Sequence, residues 1–178
     1  MTKQIATDNV LLGVLMTGPK HGYEIRKFLD DSLESKWHIG SSQMYVLLKN
    51  LEQKQLVESI LTIQNKKPSK KTYFITQKGR DVFLEWIGKP VMHVRDLRIE
   101  LLAKLFFVDL LSLGFADGLI QNQIDILTRI LENISEKEVP QTNPFEILSL
   151  RFRQITIEAC LYWLKTEGLE FIEKVKRR

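Results

Sequence analysis

The spacing of apolar residues follows two rhythms along this chain, one helical and one strand-like. Helical spacing predicts a first helix from Ile5 to Met16 and a second that starts near Lys20–Gly22. Gly18 and Pro19 separate the two, because proline cannot continue a helix and disfavours helical backbone at the preceding residue. The side of the second helix that we expect to be buried consists of Tyr23, Ile25, Phe28, Leu29 and Leu33.

A third helix follows the turn at Ile39-Gly40 and has one apolar and one polar side. Ser41 or Ser42 is the expected N-cap, since a serine hydroxyl accepts a hydrogen bond from a free backbone N–H at a helix start. The apolar side contains Met44, Leu47, Leu48 and Leu51. The other side contains Ser42, Gln43, Val46, Lys49, Asn50 and Gln53. Such side chains suit DNA base edges and phosphates, although an ordinary solvent-exposed side has a similar composition.

A strand-like rhythm takes over after this helix and predicts a basic hairpin. Two β-like runs, LVESILTI and TYFIT, flank the segment QNKKPSKK, in which four lysines surround Pro68. We expect this segment to be the turn, with Lys66, Lys67, Lys70 and Lys71 around its tip. Thr76 then caps a fourth helix, which ends at Gly88-Lys89-Pro90. A short amphipathic helix followed by a charged hairpin is the layout of a winged helix-turn-helix, whose second helix enters a DNA major groove.

The second half of the chain predicts helices throughout. Apolar spacing supports helices over Asp96–Leu113, Asp117–Glu138 and about Phe145–Lys176, with a kink expected at Gly168. The spacing of the second of these approaches a heptad. The apolar stripe of the last contains Leu148, Phe152, Ile155, Ala159, Tyr162 and Trp163. Three long amphipathic helices must cover their apolar faces by packing on each other or on a second copy, which indicates a helical dimer module.

These elements predict a mainly α fold with a small β wing. We expect residues 1–90 to form a winged helix-turn-helix DNA-binding domain and residues 91–178 to form a helical dimerisation domain that also holds an effector. Charge supports this division. The first segment has 14 Lys and Arg against 9 Asp and Glu, whereas the second has 12 against 13. The basic excess therefore coincides with the hairpin, as expected for a nucleic-acid-binding half.

Cysteine content and the N-terminus indicate the compartment. Cys160 is the single cysteine, so no disulfide can form within the chain, which is typical of a reducing cytosol. The apolar run near the N-terminus is too short for a membrane span and lacks a signal-peptide pattern. We therefore expect a cytoplasmic protein with no membrane partner.

No residue pattern points to enzymatic or metal chemistry. His21, His38 and His93 lie far apart, Cys160 is remote from all three, and CxxC, HxxxH and HExxH spacings are missing. The chain also lacks a glycine-rich phosphate loop and a GxSxG segment. Asp30-Asp31 is a carboxylate pair, but adjacent residues on a helix point in different directions. We expect no enzyme activity, no metal and no cofactor.

Three segments together resemble the PadR family of bacterial transcriptional regulators. They are LLGVLMTGPKHGYEI (11–25), SSQMYVLLKNLEQKQLV (41–57) and KKTYFITQKGRDVFLEWI (70–87). The family pattern runs in this order, from a small-residue turn and an HGYEI-type segment to a Ser-rich recognition helix and a wing. Tyr45 matches the tyrosine of the recognition helix. Val46 departs from the pattern, since many members have proline there, so we expect the start of this helix to differ slightly.

The second half resembles the long, virulence-regulator-type C-terminal region of one PadR subgroup. Residues 95–111 and 156–165 carry this resemblance. It implies a homodimer that forms through the C-terminal helices. Well-known members of this subgroup repress phenolic acid stress genes or activate virulence genes, and the resemblance does not choose between them.

The helix layout and the resemblance together imply a set of functional residues. For double-stranded DNA these are Ser42, Gln43, Tyr45, Val46, Lys49, Asn50, Lys66, Lys67, Lys70 and Lys71. For a small effector, such as a phenolic acid, they are Trp37, Trp86, Arg95, Arg98, Tyr162 and Trp163. We expect a homodimeric repressor on an inverted-repeat operator, released by the effector. A helical protein–protein interaction adaptor without specific DNA binding is the alternative that the sequence leaves open.

Overall fold

The chain divides into two compact units. The computed structural model describes residues 2–32, 39–64, 67–114, 117–135 and 143–177. Its first unit, Met1–Trp86, is called the winged-helix unit here, and the second, Ile87–Arg178, the helical unit. The fold is mainly helical with one small antiparallel sheet, which confirms the predicted fold class. No helix within the described residues is both long and apolar enough to cross a membrane.

Among the described residues up to Gly88, the chain forms four helices and three strands. In order they are α1 (Thr2–Met16), β1 (Lys20–His21), α2 (Gly22–Ser32), α3 (Ser41–Gln53), β2 (Val57–Gln64), β3 (Lys67–Ile75) and α4 (Gln77–Gly88). The sheet is antiparallel throughout, and β3 lies between the two other strands. Helix α1 contacts α2, α3 and β3. The fully buried side chains of the winged-helix unit include Leu11, Leu15, Ile25, Leu48 and Phe83.

Helix α3 has the predicted apolar side but not the predicted cap. Met44, Leu47, Leu48 and Leu51 are all buried, which confirms the helical spacing. The N-cap is Gly40, with extended backbone and no side-chain cap, so the prediction of Ser41 or Ser42 is wrong. The hydroxyl of Ser41 instead accepts a hydrogen bond from the Arg26 guanidinium of α2.

Lys20 and His21 form a short strand, where the sequence predicted the start of a helix. They pair with Tyr73 and Thr72 of β3. The positive φ of Gly18, +117°, lets the chain turn back before this strand. His21 and Thr72 also share a side-chain hydrogen bond of 2.9 Å. The second helix begins at Gly22, the last residue of the predicted start range Lys20–Gly22, because the backbone of Lys20 and His21 completes the sheet.

The start of α2 is held by its own first turn. The backbone N–H of His21 donates to Oε2 of Glu24 at 2.7 Å, which is one half of a capping box. This hydrogen bond lowers the pKa of the Glu24 carboxyl below its usual value.

The hairpin strands are longer than the sequence predicted. Lys70 pairs with Thr62 and Lys71 with Leu61, so both lysines lie within β3 and not in a turn. The predicted turn of eight residues is therefore wrong. Pro68 is compatible with a strand at this position because a strand near its end can lack one ladder N–H. The register is irregular between Thr62 and Gln64.

The fourth helix is capped as predicted and packs against the hairpin through a glycine. The backbone N–H of Gly79 donates to Oγ1 of Thr76 at 3.0 Å, which confirms Thr76 as the cap. A Cβ atom added to Gly79 would overlap the backbone carbonyl oxygen of Leu56 and lie 2.9 Å from Cγ1 of Ile75. This position therefore admits no side chain without a backbone shift.

Helices form most of the described part of the helical unit after the end of α4. They are α5 (Val94–Asp96), a π-helical turn (Leu97–Leu101), α6 (Leu102–Leu110), α7 (Asp117–Ser135), α8 (Pro144–Trp163), a second π-helical turn (Leu164–Gly168) and α9 (Leu169–Lys176). Helix α7 contacts α8, the second π-helical turn and α9. The second π-helical turn ends at Gly168, where the sequence predicted a kink.

Two polar side chains of the helical unit hold the connector, residues 89–93, which joins α4 to α5. The fully buried Gln123 accepts from the backbone N–H of Val91 at 2.7 Å and donates to its carbonyl oxygen at 2.9 Å. Lys104 donates to the carbonyl oxygen of Lys89 at 2.6 Å and pairs with Glu100 at 3.1 Å. Burial lowers the pKa of the Lys104 ammonium. Side chains of α6 and α7 thus bond the backbone of Lys89 and Val91 in the connector.

Candidate nucleic-acid interface

Helix α3 presents a mixed polar side away from its buried leucines. Ser42, Gln43, Tyr45, Val46 and Lys49 are exposed, and Asn50 is half-buried. These are six of the residues that the sequence predicted for DNA contact. Their hydroxyl, amide and ammonium groups can donate to phosphates, and the hydroxyl and amide groups can also accept hydrogen bonds from base edges. The chemistry of this side therefore suits a major groove.

Tyr45 is positioned by the glycine at the start of α2. A Cβ atom added to Gly22 would lie 2.6 Å from Oη of Tyr45 and 2.7 Å from its Cε1. The ring therefore packs directly on the backbone of Gly22, while half of the side chain, 50%, stays exposed. Sequence reasoning singled out Tyr45 but missed that Gly22 leaves the space for it.

Helix α2 adds two exposed side chains beside this contact. Arg26 bonds Ser41 and pairs with Asp30 at 3.5 Å. Tyr23 is 74% exposed, so the prediction that it is buried is wrong. The buried apolar side chains of this helix, Ile25 and Leu29, are four residues apart, and Tyr23 lies on the opposite side of the same turn. That i, i+4 pair was the signal that could have excluded Tyr23 from the core.

The wing surface is both basic and apolar. Lys70 and Lys71 are exposed on β3, and Ile60, Leu61 and Ile63 are 59–80% exposed on β2. Lys66 lies outside the described residues. Lys67 is described only in its backbone, as the first residue of β3. Of the four predicted wing lysines, the structure thus describes the side chains of two.

Lys71 is engaged within the protein. Its ammonium lies 2.9 Å from Oε2 of Glu52, in the last turn of α3, and 5.3 Å from the centroid of the Tyr73 ring. The other carboxylate oxygen of Glu52 accepts a hydrogen bond from the hydroxyl of Ser59 on β2. The bond from Ser59, followed by that from Lys71, lowers the pKa of Glu52. The bond to Glu52 raises the pKa of Lys71.

The residues predicted for an effector have different environments. Trp37 lies outside the described residues. Trp86 is buried and packs against Phe83, with ring centroids 6.0 Å apart, which favours a core role. Arg95 is exposed and 3.8 Å from Asp96, and Arg98 is exposed on the first π-helical turn. The exposed side chains of α8 include Tyr162 and Trp163. In the described ranges, no group of three or more His, Cys, Asp or Glu is arranged to hold a metal ion.

Comparison with known proteins finds similar sequences for the residues of this interface. Residues 11–85 match the model of the transcriptional regulator PadR-like family. The chain is 29% identical over 114 residues to the "Negative transcriptional regulator PadR" of Bacillus subtilis, which covers 64% of this chain and 63% of that protein. It is 29% identical over 94 residues to the "Probable transcriptional regulator Rv1176c" of Mycobacterium tuberculosis, covering 53% of this chain and 50% of that protein. The chain thus spans less than two thirds of each relative.

A solved structure is also similar over most of the chain. It is the crystal structure of Bacillus subtilis PadR in complex with operator DNA, which is 22% identical with a TM-score of 0.48. The match covers 90% of this chain and 96% of that chain.

Proposed function

We propose that this chain is a PadR-like transcriptional regulator, as the match of residues 11–85 to that family indicates, and that it binds operator DNA as a homodimer and represses transcription. The observation that carries the proposal is the exposed side of α3, with its hydroxyl, amide and ammonium groups around Tyr45. In this proposal α3 is the recognition helix and lies in a major groove.

The proposed contacts divide into two kinds. Gln43 and Asn50 reach base edges, and Val46 offers an apolar contact to a thymine methyl group. Ser42, Tyr45 and Lys49 add base-edge or phosphate contacts, and Lys70 of the wing lies along the phosphates of the adjacent groove. Each lysine–phosphate contact contributes about 0.9 to the dependence of log K on log salt concentration. Specificity then comes mainly from α3 and salt dependence mainly from the lysines.

An apolar stripe on α8 supports the homodimer. Its large side chains are 64–73% exposed in the single chain and follow heptad spacing: Phe145, Leu148, Phe152, Ile155 and Tyr162. The opposite side of the helix is buried at Ile157 and Leu161. Because burying one large apolar side chain contributes roughly 1.5–3 kcal/mol, a face of this size favours association. Heptad spacing suits the seam of a coiled coil with a second copy.

Repression and release by an effector complete the proposal. The relative named as a negative transcriptional regulator supports repression. A small acidic or phenolic effector would pair with the exposed guanidinium groups of Arg95 and Arg98. Titration of simple phenolic acids against the protein–operator complex tests this part, and the expected result is a saturable loss of binding.

Binding to the DNA just upstream of the chain's own gene tests the central proposal. The purified protein is titrated into the labelled duplex at two salt concentrations, with a scrambled duplex as the control. We expect tight binding to the upstream duplex alone, which weakens steeply as salt rises. Equal weak binding to both duplexes would mean that the operator lies elsewhere. If neither duplex is bound at low salt, the adaptor reading replaces this one.

A further inference from the structure

One carboxylate links α3 to both strands of the wing. Glu52 is the penultimate residue of α3, and its two oxygens accept hydrogen bonds from Ser59 on β2 and Lys71 on β3. Ser59 lies opposite Tyr73 in the sheet, and the Lys71 ammonium lies over the ring of that tyrosine. The four side chains thus form one cluster where α3 meets the base of the hairpin, which we call the wing latch.

The position of Glu52 is not explained by the helix itself. A carboxylate in the last turn faces the negative end of the helix dipole, which opposes its charge. The carboxyl group nevertheless has a lowered pKa, because the Ser59 hydroxyl and the Lys71 ammonium bond its charged form. The two wing partners therefore stabilise the charged carboxylate by more than the end of α3 destabilises it. The favourable interactions of the Glu52 charge are with the wing and not with its own helix.

The same contact also pairs the positive charge of Lys71 with a carboxylate of the protein. A lysine ammonium has three N–H donors, but when a protein carboxylate lies 2.9 Å away, that negative charge offsets the attraction of the ammonium for a phosphate. Its neighbour Lys70 projects from the other face of the strand, since side chains alternate along a strand. The two lysines are therefore unequal, although they are adjacent in sequence and both exposed.

We propose that Glu52 is a positioning residue that holds the wing at a fixed angle to the recognition helix, with Lys71 as its counter-charge and not as a phosphate contact. This inference rests on the proposed function, because α3 and the wing must reach the DNA together. Without the latch the wing samples other angles, and the apparent affinity falls by the fraction of molecules that remain competent.

Four variants of the wing latch give distinct expectations. Glu52→Gln and Lys71→Met each weaken specific operator binding by about 1.5- to 5-fold per protomer, or roughly 2- to 25-fold for a dimer, as expected for a partly exposed pair. Their double variant is no weaker than either alone, because the same contact is lost only once. The charge exchange Glu52→Lys with Lys71→Glu restores much of the affinity, whereas a negative charge at a phosphate contact would abolish it.

The salt dependence of operator binding separates the latch from a direct contact. We expect Lys71→Met to leave the salt slope of log K unchanged. The matched control, Lys70→Met, should lower the slope by about 0.9 per protomer. Circular dichroism and thermal unfolding of every variant confirm that each is folded. An equal fall in slope for both lysine variants, or no rescue by the charge exchange, would overturn the latch.

Operator binding by the unmodified protein distinguishes failure of the wing latch from failure of the proposed function. If the unmodified protein binds no operator, the proposed function fails and the latch fails with it. If it binds, and Glu52→Gln leaves the affinity unchanged, only the latch is wrong.

Discussion

Gly22 and Tyr45 form a pair in which one residue leaves the space that the other fills. Substituting Gly22 with alanine places a Cβ atom within 2.6–2.8 Å of three atoms at the end of the Tyr45 side chain. Because that side chain is half exposed, its ring can swing away. The substitution should therefore lower the unfolding free energy by at most about 1–3 kcal/mol. We expect Gly22→Ala to weaken operator binding more than it lowers the unfolding free energy.

A double-mutant cycle provides the control for this pair. In a Tyr45→Ala background the ring is gone, so Gly22→Ala should have almost no further effect on stability or binding. Urea unfolding and operator titration of the four proteins measure both quantities. An undiminished effect in the Tyr45→Ala background would show that the glycine serves some other contact.

The lowered pKa of Glu52 predicts a pH-dependent contribution to stability. A carboxyl group that binds its proton more weakly in the folded state contributes stability above its unfolded pKa, near 4.5, and that contribution is lost as the pH falls through the folded value. We therefore expect Glu52→Gln to lower the unfolding free energy by roughly 0.2–1 kcal/mol at pH 7, since 42% of the Lys71 side chain is exposed.

Unfolding free energies measured from pH 7 to pH 3 test this prediction. The difference between the parent and Glu52→Gln should shrink below pH 4.5. Ser59→Ala is the informative control, because the Ser59 hydroxyl is the largest cause of the shift. If the difference in unfolding free energy between the parent and Glu52→Gln stayed constant from pH 7 to pH 3, the charged form of Glu52 would not be the source of the stability.

At the scale of elements, the packing of α4 against the hairpin depends on Gly79. An added Cβ atom overlaps the carbonyl oxygen of Leu56, a backbone atom that cannot rotate away. We expect Gly79→Ala to lower the unfolding free energy by about 3 kcal/mol. Gly88→Ala is the matched control at the other end of the helix, where a Cβ atom meets nothing within 4 Å. Urea unfolding should separate the two variants clearly.

The apolar stripe of α8 predicts how the chain associates. A charge at its centre, Phe152→Glu, cannot be buried in a seam without a partner and should convert a dimer to a monomer. Arg153→Glu introduces the same residue one position away, off the stripe, and should leave the dimer intact. Sedimentation equilibrium measures both. A monomeric parent protein, or a dimeric Phe152→Glu, would contradict the proposed seam.

Periodicity predicted most elements but not the contacts between distant ones. The buried side of α3, the cap at Thr76 and the helices described in the second half follow from local spacing. Strand β1 does not, because Lys20 and His21 carry no strand pattern and become a strand only by pairing with β3. The extent of the hairpin was underestimated for a similar reason, since its lysines look like a turn until they are paired.

The same limit applies to the candidate site. The exposed side of α3 could be read from the sequence, whereas the link from Glu52 to Lys71 joins residues 19 positions apart. A signal was nonetheless present, because a glutamate in the last turn of a helix opposes the helix dipole and so indicates a partner elsewhere. Gly22 gave no such signal, as its role depends on a ring from another helix.

At the scale of the whole molecule, a dimer on an inverted repeat predicts strict half-site spacing. Two recognition helices in successive major grooves lie about 34–36 Å apart, or one DNA turn. Inserting 5 base pairs between the half-sites rotates one of them by half a turn, and we expect at least roughly tenfold weaker binding. Phe152→Glu should bind both operators equally weakly. Equal affinity of the parent for both operators would exclude simultaneous binding of two half-sites.

The hydrogen bonds from Gln123 and Lys104 to the connector affect how readily a protease can cut it. Proteases usually cut irregular segments, and the connector within the helical unit is one of these, because the backbone there can be drawn out into an extended substrate. Here the amide of Gln123 occupies both polar atoms of Val91, and the Lys104 ammonium holds the carbonyl of Lys89. A broad-specificity protease can bind this segment only after these hydrogen bonds open. The rate of cleavage at the connector therefore reports how often the helical unit opens locally.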